Sequence, residues 1–321
     1  VPEETMLLVE DYFIFKDNST IKVKGKSEPI SVFLVQSNKD VSNQSNSPFI
    51  GRENEISILK NTHTEIIGNI KNNKFDKINL IGITAEAGIG KTRLVQEYLK
   101  SEKNISFSLS HASNISSKPY YIFITLIKDV FKISEMDSLE TTKSKFEKGI
   151  EALISNNQEQ EENLKSSIPF IGFLIGLQYN DERLRDRNEI QNHLHLSIKA
   201  LIKSMCGAPN KKGLPYIILL DDMHWIDKMS LDAFEYIINT LNTENTRNND
   251  EFSQLLILAT YRNEFSIPNI LKNELNFNEI HLQPLKKEDS IKLIKHSTKG
   301  IEISHQTILD LIDKSKGNPF F

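Results

Sequence analysis

From Phe49 onward the chain alternates short, almost unbroken apolar runs with longer segments whose apolar residues recur every three or four positions. Residues 78–84, 105–109, 216–220 and 255–260 form the short runs. They are rich in β-branched residues, which predicts strands covered by helices on both faces. The longer segments, 53–69, 92–101, 121–132, 187–204 and 230–241, predict amphipathic helices. Strand alternating with helix predicts an α/β fold built on a parallel sheet.

The first 36 residues differ. Tyr12-Phe13-Ile14-Phe15 and Ile30-Ser31-Val32-Phe33-Leu34-Val35 read as strands, with Lys24-Gly25-Lys26 as a turn between them. So short a stretch makes too small a core to fold alone, so residues 1–36 are expected to be the tail of an upstream domain. Residues 37–48 (SNKDVSNQSNSP) have almost nothing to bury and read as a linker. The start at Val1 without an initiator methionine and the end on Phe320-Phe321 suggest a piece of a longer polypeptide. Two polar stretches, 156–165 and 243–251, read as surface loops or solvated helix ends. The longest apolar candidate, 168–177, is too short to span a bilayer and carries Pro169.

Composition narrows the function classes. Hydrophobic residues make up 38% and charged ones 26%, enough for a sizeable core. Lysine and arginine total 39 against 43 acidic residues, a net charge of -4, which disfavours a nucleic-acid-coating role. The single cysteine, Cys206, excludes an internal disulfide framework and fits a reducing, cytoplasmic setting.

Chemistry concentrates at three places. In Gly82-Ile83-Thr84-Ala85-Glu86-Ala87-Gly88-Ile89-Gly90-Lys91-Thr92-Arg93 an apolar strand runs into a small-residue loop and then a helix. Glycines let backbone N–H groups curl around phosphate, and the helix adds its positive N-terminus. Lys91 would reach the β- and γ-phosphates of ATP, and the Thr92 hydroxyl would ligate Mg²⁺. The full pattern has glycine where Ala85 stands, a change alanine tolerates while φ stays negative. Second, Tyr216-Ile217-Ile218-Leu219-Leu220 ends in Asp221-Asp222. Carboxylates there are costly unless they face a cation or cleft. Asp221 would hold Mg²⁺ and Asp222 would orient or deprotonate the attacking water; the alternative is that the pair caps a turn before the helix starting near Asp227. Third, the run 255–260 leads to Tyr261-Arg262, and Arg262 could sense the γ-phosphate or equally salt-bridge Asp221 or Glu264.

Other candidates carry less. His193 and His195 are two apart, so a helix points them to different sides. His224 and Trp225 fit packing under the sheet edge as well as contact with nucleotide or a neighbouring domain. Cys206 reads as a small buried residue.

Together these motifs resemble a known family. Phe49-Ile50-Gly51-Arg52-Glu53-Asn54-Glu55 resembles the lead-in segment of origin-recognition-complex-like AAA ATPases and the related STAND signalling ATPases. Gly88-Ile89-Gly90-Lys91-Thr92-Arg93-Leu94 is similar to their Walker A loop, and Leu219-Leu220-Asp221-Asp222-Met223-His224-Trp225-Ile226-Asp227 to their Walker B with a trailing His-Trp-x-Asp. Thr260-Tyr261-Arg262 is similar to the sensor segment, and Gly317-Asn318-Pro319-Phe320-Phe321 to the Gly-x-Pro motif closing the helical lid. The resemblance spans residues 48–321. It implies a P-loop ATPase core over 49–280 and a helical lid over 281–321, with an adenine pocket near Ile50, Gly51 and Arg52 closed at Pro319. Ala87, Gly88, Ile89, Gly90, Lys91, Thr92 and Arg93 would line the nucleotide. Brisk AAA hydrolases place glutamate where Asp222 stands, so slow, switch-like turnover is expected. Ile21–Phe33 resembles the last strands of class III nucleotide cyclases, as in soluble adenylyl cyclase-like proteins; this piece cannot make cyclic nucleotide alone.

The expected function is therefore an ATP-binding, Mg²⁺-dependent regulatory ATPase module of a larger signalling protein. Its partners would be an upstream cyclase-like domain and downstream interaction domains, with a possible nucleotide-dependent oligomer, no membrane span, and DNA disfavoured. The alternatives are a non-hydrolysing nucleotide-binding scaffold or the regulatory remainder of an adenylate cyclase.

Overall fold

The computed structural model describes residues 1–9, 13–21, 29–38, 48–72, 77–116, 118–186, 189–248, 255–298 and 303–320. The chain divides into two units, Val1–Pro48 with Leu293–Ile301, and Phe49–Lys292 with Glu302–Phe321. The turn at 24–26, most of the linker at 39–47, and Phe321 lie outside the described residues.

In the first unit, helix α1 (Glu3–Val9) precedes strands β1 (Phe13–Ile21) and β2 (Ile30–Asn38). The strands pair antiparallel, with register shifts at Ile14/Phe15 and Lys16/Asn18. The N-terminal ammonium donates to Phe33 O at 2.6 Å, and the Phe33 N–H returns a bond to Val1 O at 2.7 Å. Phe15 and Phe33 meet edge to face across the pair.

The second unit runs α2 (Glu53–Lys71), β3 (Asn79–Thr84), α3 (Lys91–Ser101), β4 (Ser106–His111) and α4 (Tyr121–Val130). Three helices follow, α5 (Leu139–Asn156), α6 (Glu161–Leu174) and α7 (Ile190–Lys211), then β5 (Tyr216–Asp221), α8 (Lys228–Asn248) and β6 (Leu255–Tyr261). Next come α9 (Asn269–Glu274), β7 (Asn276–His281) and α11 (His305–Ser315); α10 (Lys287–Ser297) begins in this unit. The strands form a five-stranded sheet in the order β4-β5-β6-β3-β7 with every pairing parallel.

The period of two along each strand builds a core on each face. Leu80, Ile218, Leu220, Ile257 and Tyr261 face α4, α7 and α8, while Ile81, Ile83, Ile217, Leu219 and Leu258 face α2 and α3. These side chains are essentially inaccessible, which is why the runs carry no polar alternation.

Strand β4 departs from that expectation. It is a sheet edge, and its Phe107 and Leu109 are exposed while Ser108 and Ser110 point inward. The serines survive burial because Ser108 bonds the Tyr216 hydroxyl at 2.7 Å and Ser110 bonds Thr125 and Ile122 O. The Asp129 carboxylate accepts the Leu109 N–H at 2.9 Å, blunting the open edge. Strand β7 and helices α5 and α6 escaped the periodicity reading. Asn276-Phe277-Asn278-Glu279-Ile280-His281 carries too few apolar residues, because β7 is the other edge.

Two contacts set the geometry of the sheet's carboxyl end. Tyr261 crosses the middle of β3 to donate from its hydroxyl to Glu279 on β7. Only glycine permits this, since a Cβ on Gly82 would stand 2.1 Å from the phenol oxygen. Asp227 accepts the N–H groups of Tyr120 and Tyr121 at the start of α4, both at 3.0 Å. It also accepts the N–H of Ser230 at 2.9 Å and the Ser230 hydroxyl at the start of α8. One carboxylate thus caps two helices.

Two histidines are buried away from the phosphate loop. His63 lies 3.6 Å from Glu102 and edge-on to Tyr98; His195 reaches the Tyr120 hydroxyl at 3.4 Å. Burial holds both below the usual imidazole range, against a partial pull upward from Glu102 and Asp232. Cys206 is buried, and burial pushes its thiol up to about 12, so it stays a thiol.

Asp227→Ala is expected to cost about 1–4 kcal/mol, the sum of two lost caps, measured by urea unfolding; Asp227→Asn should cost less because one oxygen remains. The histidines give a pH signature. The unfolded chain takes up protons near pH 6.5 while the folded chain resists, so stability holds above that value and falls as pH drops below it. Unfolding midpoints for wild type and His63→Phe between pH 7.5 and 5.5 should show a shallower fall in the variant.

Candidate functional site

The site forms where β3, β5 and β6 end side by side, since parallel strands present all their carboxyl ends on one edge. Strand β3 runs into the loop Ala85–Gly90, which delivers Lys91 to the first turn of α3. Gly88 and Gly90 adopt φ of 81° and 103°, left-handed values that turn the loop back on itself. Ala85 is buried and keeps a negative φ, so alanine serves there without strain.

Lys91 is buried beneath this loop, and its ammonium donates to Ala85 O at 2.9 Å and Glu86 O at 3.0 Å. Burial pulls its pKa below the lysine range, partly offset by Asp222 and Asp221. A phosphate beside it would restore the charge the interior penalises.

The Thr92 hydroxyl lies 3.1 Å from both carboxylate oxygens of Asp221 at the end of β5. Thr260, fully buried on β6, donates its hydroxyl to the same carboxylate and accepts the Asp222 N–H at 3.0 Å. Burial raises the Asp221 pKa, countered by the Thr260 and Thr92 hydroxyls and pushed further by Asp222. An acidic oxygen ligand beside a hydroxyl, one carboxylate in all, fits Mg²⁺, which is held by one or two protein oxygens and completed by phosphates and water. Among the described residues no cluster of three or more His, Cys, Asp or Glu offers a full protein cage.

Asp222 has φ of 58°, and its side chain is half exposed. Arg262 follows β6 and lays its guanidinium 5.8 Å from the Trp225 ring; of the sequence alternatives it pairs with neither Asp221 nor Glu264. Arg93 on α3 pairs with Glu97 at 3.0 Å.

The lead-in segment grips the loop from outside. Arg52 is buried, and its guanidinium donates to Ile89 O and to Glu55, both at 3.3 Å, so it clamps the loop. Ile50 and Gly51 stay partly accessible beside it. Gly51 has φ of 73° and lies so close to the first turn of α10 that a Cβ would meet the Asp289 carboxylate at 2.5 Å. From the carboxyl end, Asn318 donates to Ala87 O at 3.0 Å, and both it and Phe320 crowd Gly88. Pro319 itself is exposed, so its neighbour Asn318 makes the contact. The structure thus gathers Ile50–Arg52, Ala87–Thr92, Asp221, Asp222 and Arg262 at one end of the sheet, while Arg93 turns along its own helix. The sequence placed Thr260, Asn318 and Asp227 within motifs but gave none of them the contact it makes. Thr260 also stood out as the polar residue in an otherwise apolar strand.

A larger cavity than the one beside Glu86 and Ile89 lies elsewhere. It has a volume of about 410 Å³ between α6 and α7, and its Lys199 and Lys203 are both held by Glu244. Size does not mark this site; the convergence of a loop, an ammonium, hydroxyls and carboxylates does.

Residues 48–248 match the AAA ATPase domain family, more than half of the chain. The chain belongs to that family. It is a nucleotide-binding P-loop ATPase module with the parallel α/β sheet of that fold. No curated protein matches it in sequence. Among solved structures it is similar to a chain of the HORMA:CdnC:Trip13 complex of E. coli MS115-1, at 10% identity and TM-score 0.43 over 83% of this chain and 73% of that one. It is also similar to Aeropyrum pernix ORC2 in ADPNP-ADP complexes, at 10% identity and TM-score 0.48 over 87% and 62%. A katanin structure gives 15% identity and TM-score 0.38 over 83% and 63%. The chain thus spans less than two thirds of the ORC2 and katanin chains. At such identities and scores these structures say nothing of what this chain binds. Among the described residues no helix is long and apolar enough to cross a membrane.

Burying the Asp221 charge costs folding energy that the Thr92 and Thr260 hydroxyls return only in part. Asp221→Asn is therefore expected to raise the thermal midpoint of the nucleotide-free protein by a few degrees at pH 7.5, read by differential scanning calorimetry.

Proposed function

We propose that this module binds ATP with Mg²⁺ and hydrolyses it slowly, as a regulatory switch within a larger signalling protein. The observation that supports this reading best is the chain of contacts Thr92–Asp221–Thr260 beside the buried Lys91 ammonium. It places a cation, a carboxylate and two hydroxyls around the end of a loop shaped for phosphate. Bound Mg²⁺ would be held by Thr92 and Asp221 and would neutralise developing phosphate charge. Lys91 would leave the Ala85 and Glu86 carbonyls for the β- and γ-phosphates. Asp222 would accept a proton from the attacking water, and Arg262 would face the charge that builds on the γ-phosphoryl group. Aspartate is one methylene shorter than glutamate, so its hold on water is looser and turnover slower.

Coupling to the rest of the protein would run through the segments that touch the loop. Asn318 and the Gly51–Asp289 approach link it to the carboxyl-terminal helices expected to act as the lid over 281–321. Any shift of the loop between ATP and ADP states changes those contacts and so biases their position. We read residues 1–36 as the tail of a cyclase-like domain, the linker 37–48 joining it to this core at 49–280, and the whole as STAND-like. These assignments make the upstream domain and further downstream domains the partners.

A second reading, a non-hydrolysing nucleotide-binding scaffold, draws on the Asp222 carboxylate, which makes no hydrogen bond among the described residues. Titration with ATP and steady-state phosphate release separate the two. Lys91→Ala should weaken ATP binding at least 10-fold, and normal binding by it would remove the phosphate-loop assignment. Asp222→Asn should keep ATP binding and lose on the order of 100-fold in phosphate release. Wild type that binds ATP yet releases no more phosphate than Asp222→Asn would establish the scaffold.

A further inference from the structure

Resting on the ATPase reading, we propose that His224 is the positioning residue for Asp222, turning its carboxylate toward the attacking water by a hydrogen bond from Nδ1–H.

Two unsatisfied groups stand side by side. The backbone of Asp222 is fixed at both ends, its N–H on Thr260 and its C=O accepting the Trp225 N–H at 2.9 Å. Its carboxylate is nonetheless unanchored, half exposed, and 3.8 Å from His224 Nδ1. The His224 side chain is only 6% exposed, and among the described residues neither ring nitrogen has a hydrogen-bond partner. A buried imidazole that satisfies nothing is costly in a folded protein and calls for a reason. The sequence reading left His224 between packing and contact; a packing role is met by an apolar ring and leaves both nitrogens unexplained.

Among the described residues, Asp222 is the carboxylate that lies within 4 Å of Nδ1. The short turn Met223–Trp225 folds the imidazole back beside Asp222, and its other side packs against the Trp225 ring at 5.0 Å. The charged groups around it are Asp222, Arg262, Lys91 and Glu264. Arg262 is drawn onto Trp225, and Lys91 donates to the loop carbonyls. At 3.8 Å the contact is too long for a hydrogen bond, and a small rotation of either side chain closes it. Such bonds are commonly long in an unliganded site and tighten in the substrate complex. The need is greater for aspartate than for glutamate. A short carboxylate on a left-handed residue reaches the water only in a narrow range of side-chain angles, and a donor from the side selects that range.

The test uses the 321-residue chain. His224→Leu should lower kcat for ATP hydrolysis about 10- to 100-fold with ATP affinity and KM within twofold of wild type. His224→Asn, whose amide N–H lies near the place of Nδ1, should recover most of that loss. In an Asp222→Ala background, His224→Leu should change kcat no further. Independently of turnover, ¹⁵N spectra with a non-hydrolysable ATP analogue and Mg²⁺ should show His224 as the Nδ1–H tautomer, lost in Asp222→Ala. Equal losses in both backgrounds, an effect on affinity in place of kcat, or an Asn variant as poor as Leu would overturn the proposal. Wild type that binds but never hydrolyses ATP would instead overturn the ATPase reading, and the tautomer spectra would still decide whether His224 holds Asp222.

Discussion

A carboxylate at the end of a strand that is otherwise entirely apolar is the constraint around which this module is arranged. Asp221 closes β5 with its charge largely removed from water, and two hydroxyls hydrogen-bond it. One comes from α3 through Thr92 and the other from β6 through Thr260. These bonds tie a strand, its neighbour and the phosphate loop's helix to one atom group. The helix that follows the loop is thereby tied to the sheet edge. The energetic cost of that burial falls on folding, which is the usual division where a charge is kept for a binding site.

Around that point the chain is pinned from three directions in sequence. Arg52 comes from before the sheet, Asp227 from its middle and Asn318 from its far end. Arg52 and Asn318 donate to the Ile89 and Ala87 carbonyls of the same loop, and peptide planarity turns the N–H groups of Gly90 and Gly88 the opposite way. Donors gripping the carbonyls from outside and N–H groups turned inward are two sides of one peptide orientation. The positive φ of Gly88 and Gly90 makes that orientation possible. Phosphate affinity and the mechanical link to the carboxyl-terminal helices are thus properties of the same few peptides.

Much of this was legible in the residues. The unbroken runs in β3, β5 and β6 announced buried parallel strands, and the observed bounds differ by about a residue. β4 was found but misjudged. Its short apolar run looked like a covered strand, yet the serines are the buried face, because neighbouring hydroxyls and carbonyls satisfy them. That exchange depends on Tyr216, 108 residues on, and on Thr125 in the next helix, and neither leaves a periodic mark. Edge strand β7 was missed for a related reason. With one neighbour and a solvated face it needs few apolar residues, and its place is secured by backbone pairing to β3.

By itself the sequence determined the alternation of strand and helix, the phosphate loop and the acidic end of β5, because these depend on local composition and on period. Tertiary structure decided what the side chains do. It turned Arg52 into a clamp, gave the loop contact to Asn318 while Pro319 stayed exposed, set Arg262 on Trp225, made Asp227 a cap for two helices and left His224 buried beside Asp222. Most of those outcomes depend on a partner brought near by sheet order, and a hydrogen bond across 37 or 231 residues has no signature along the chain. Direction and distance, not residue type, settle such contacts, and only the folded sheet edge supplies them.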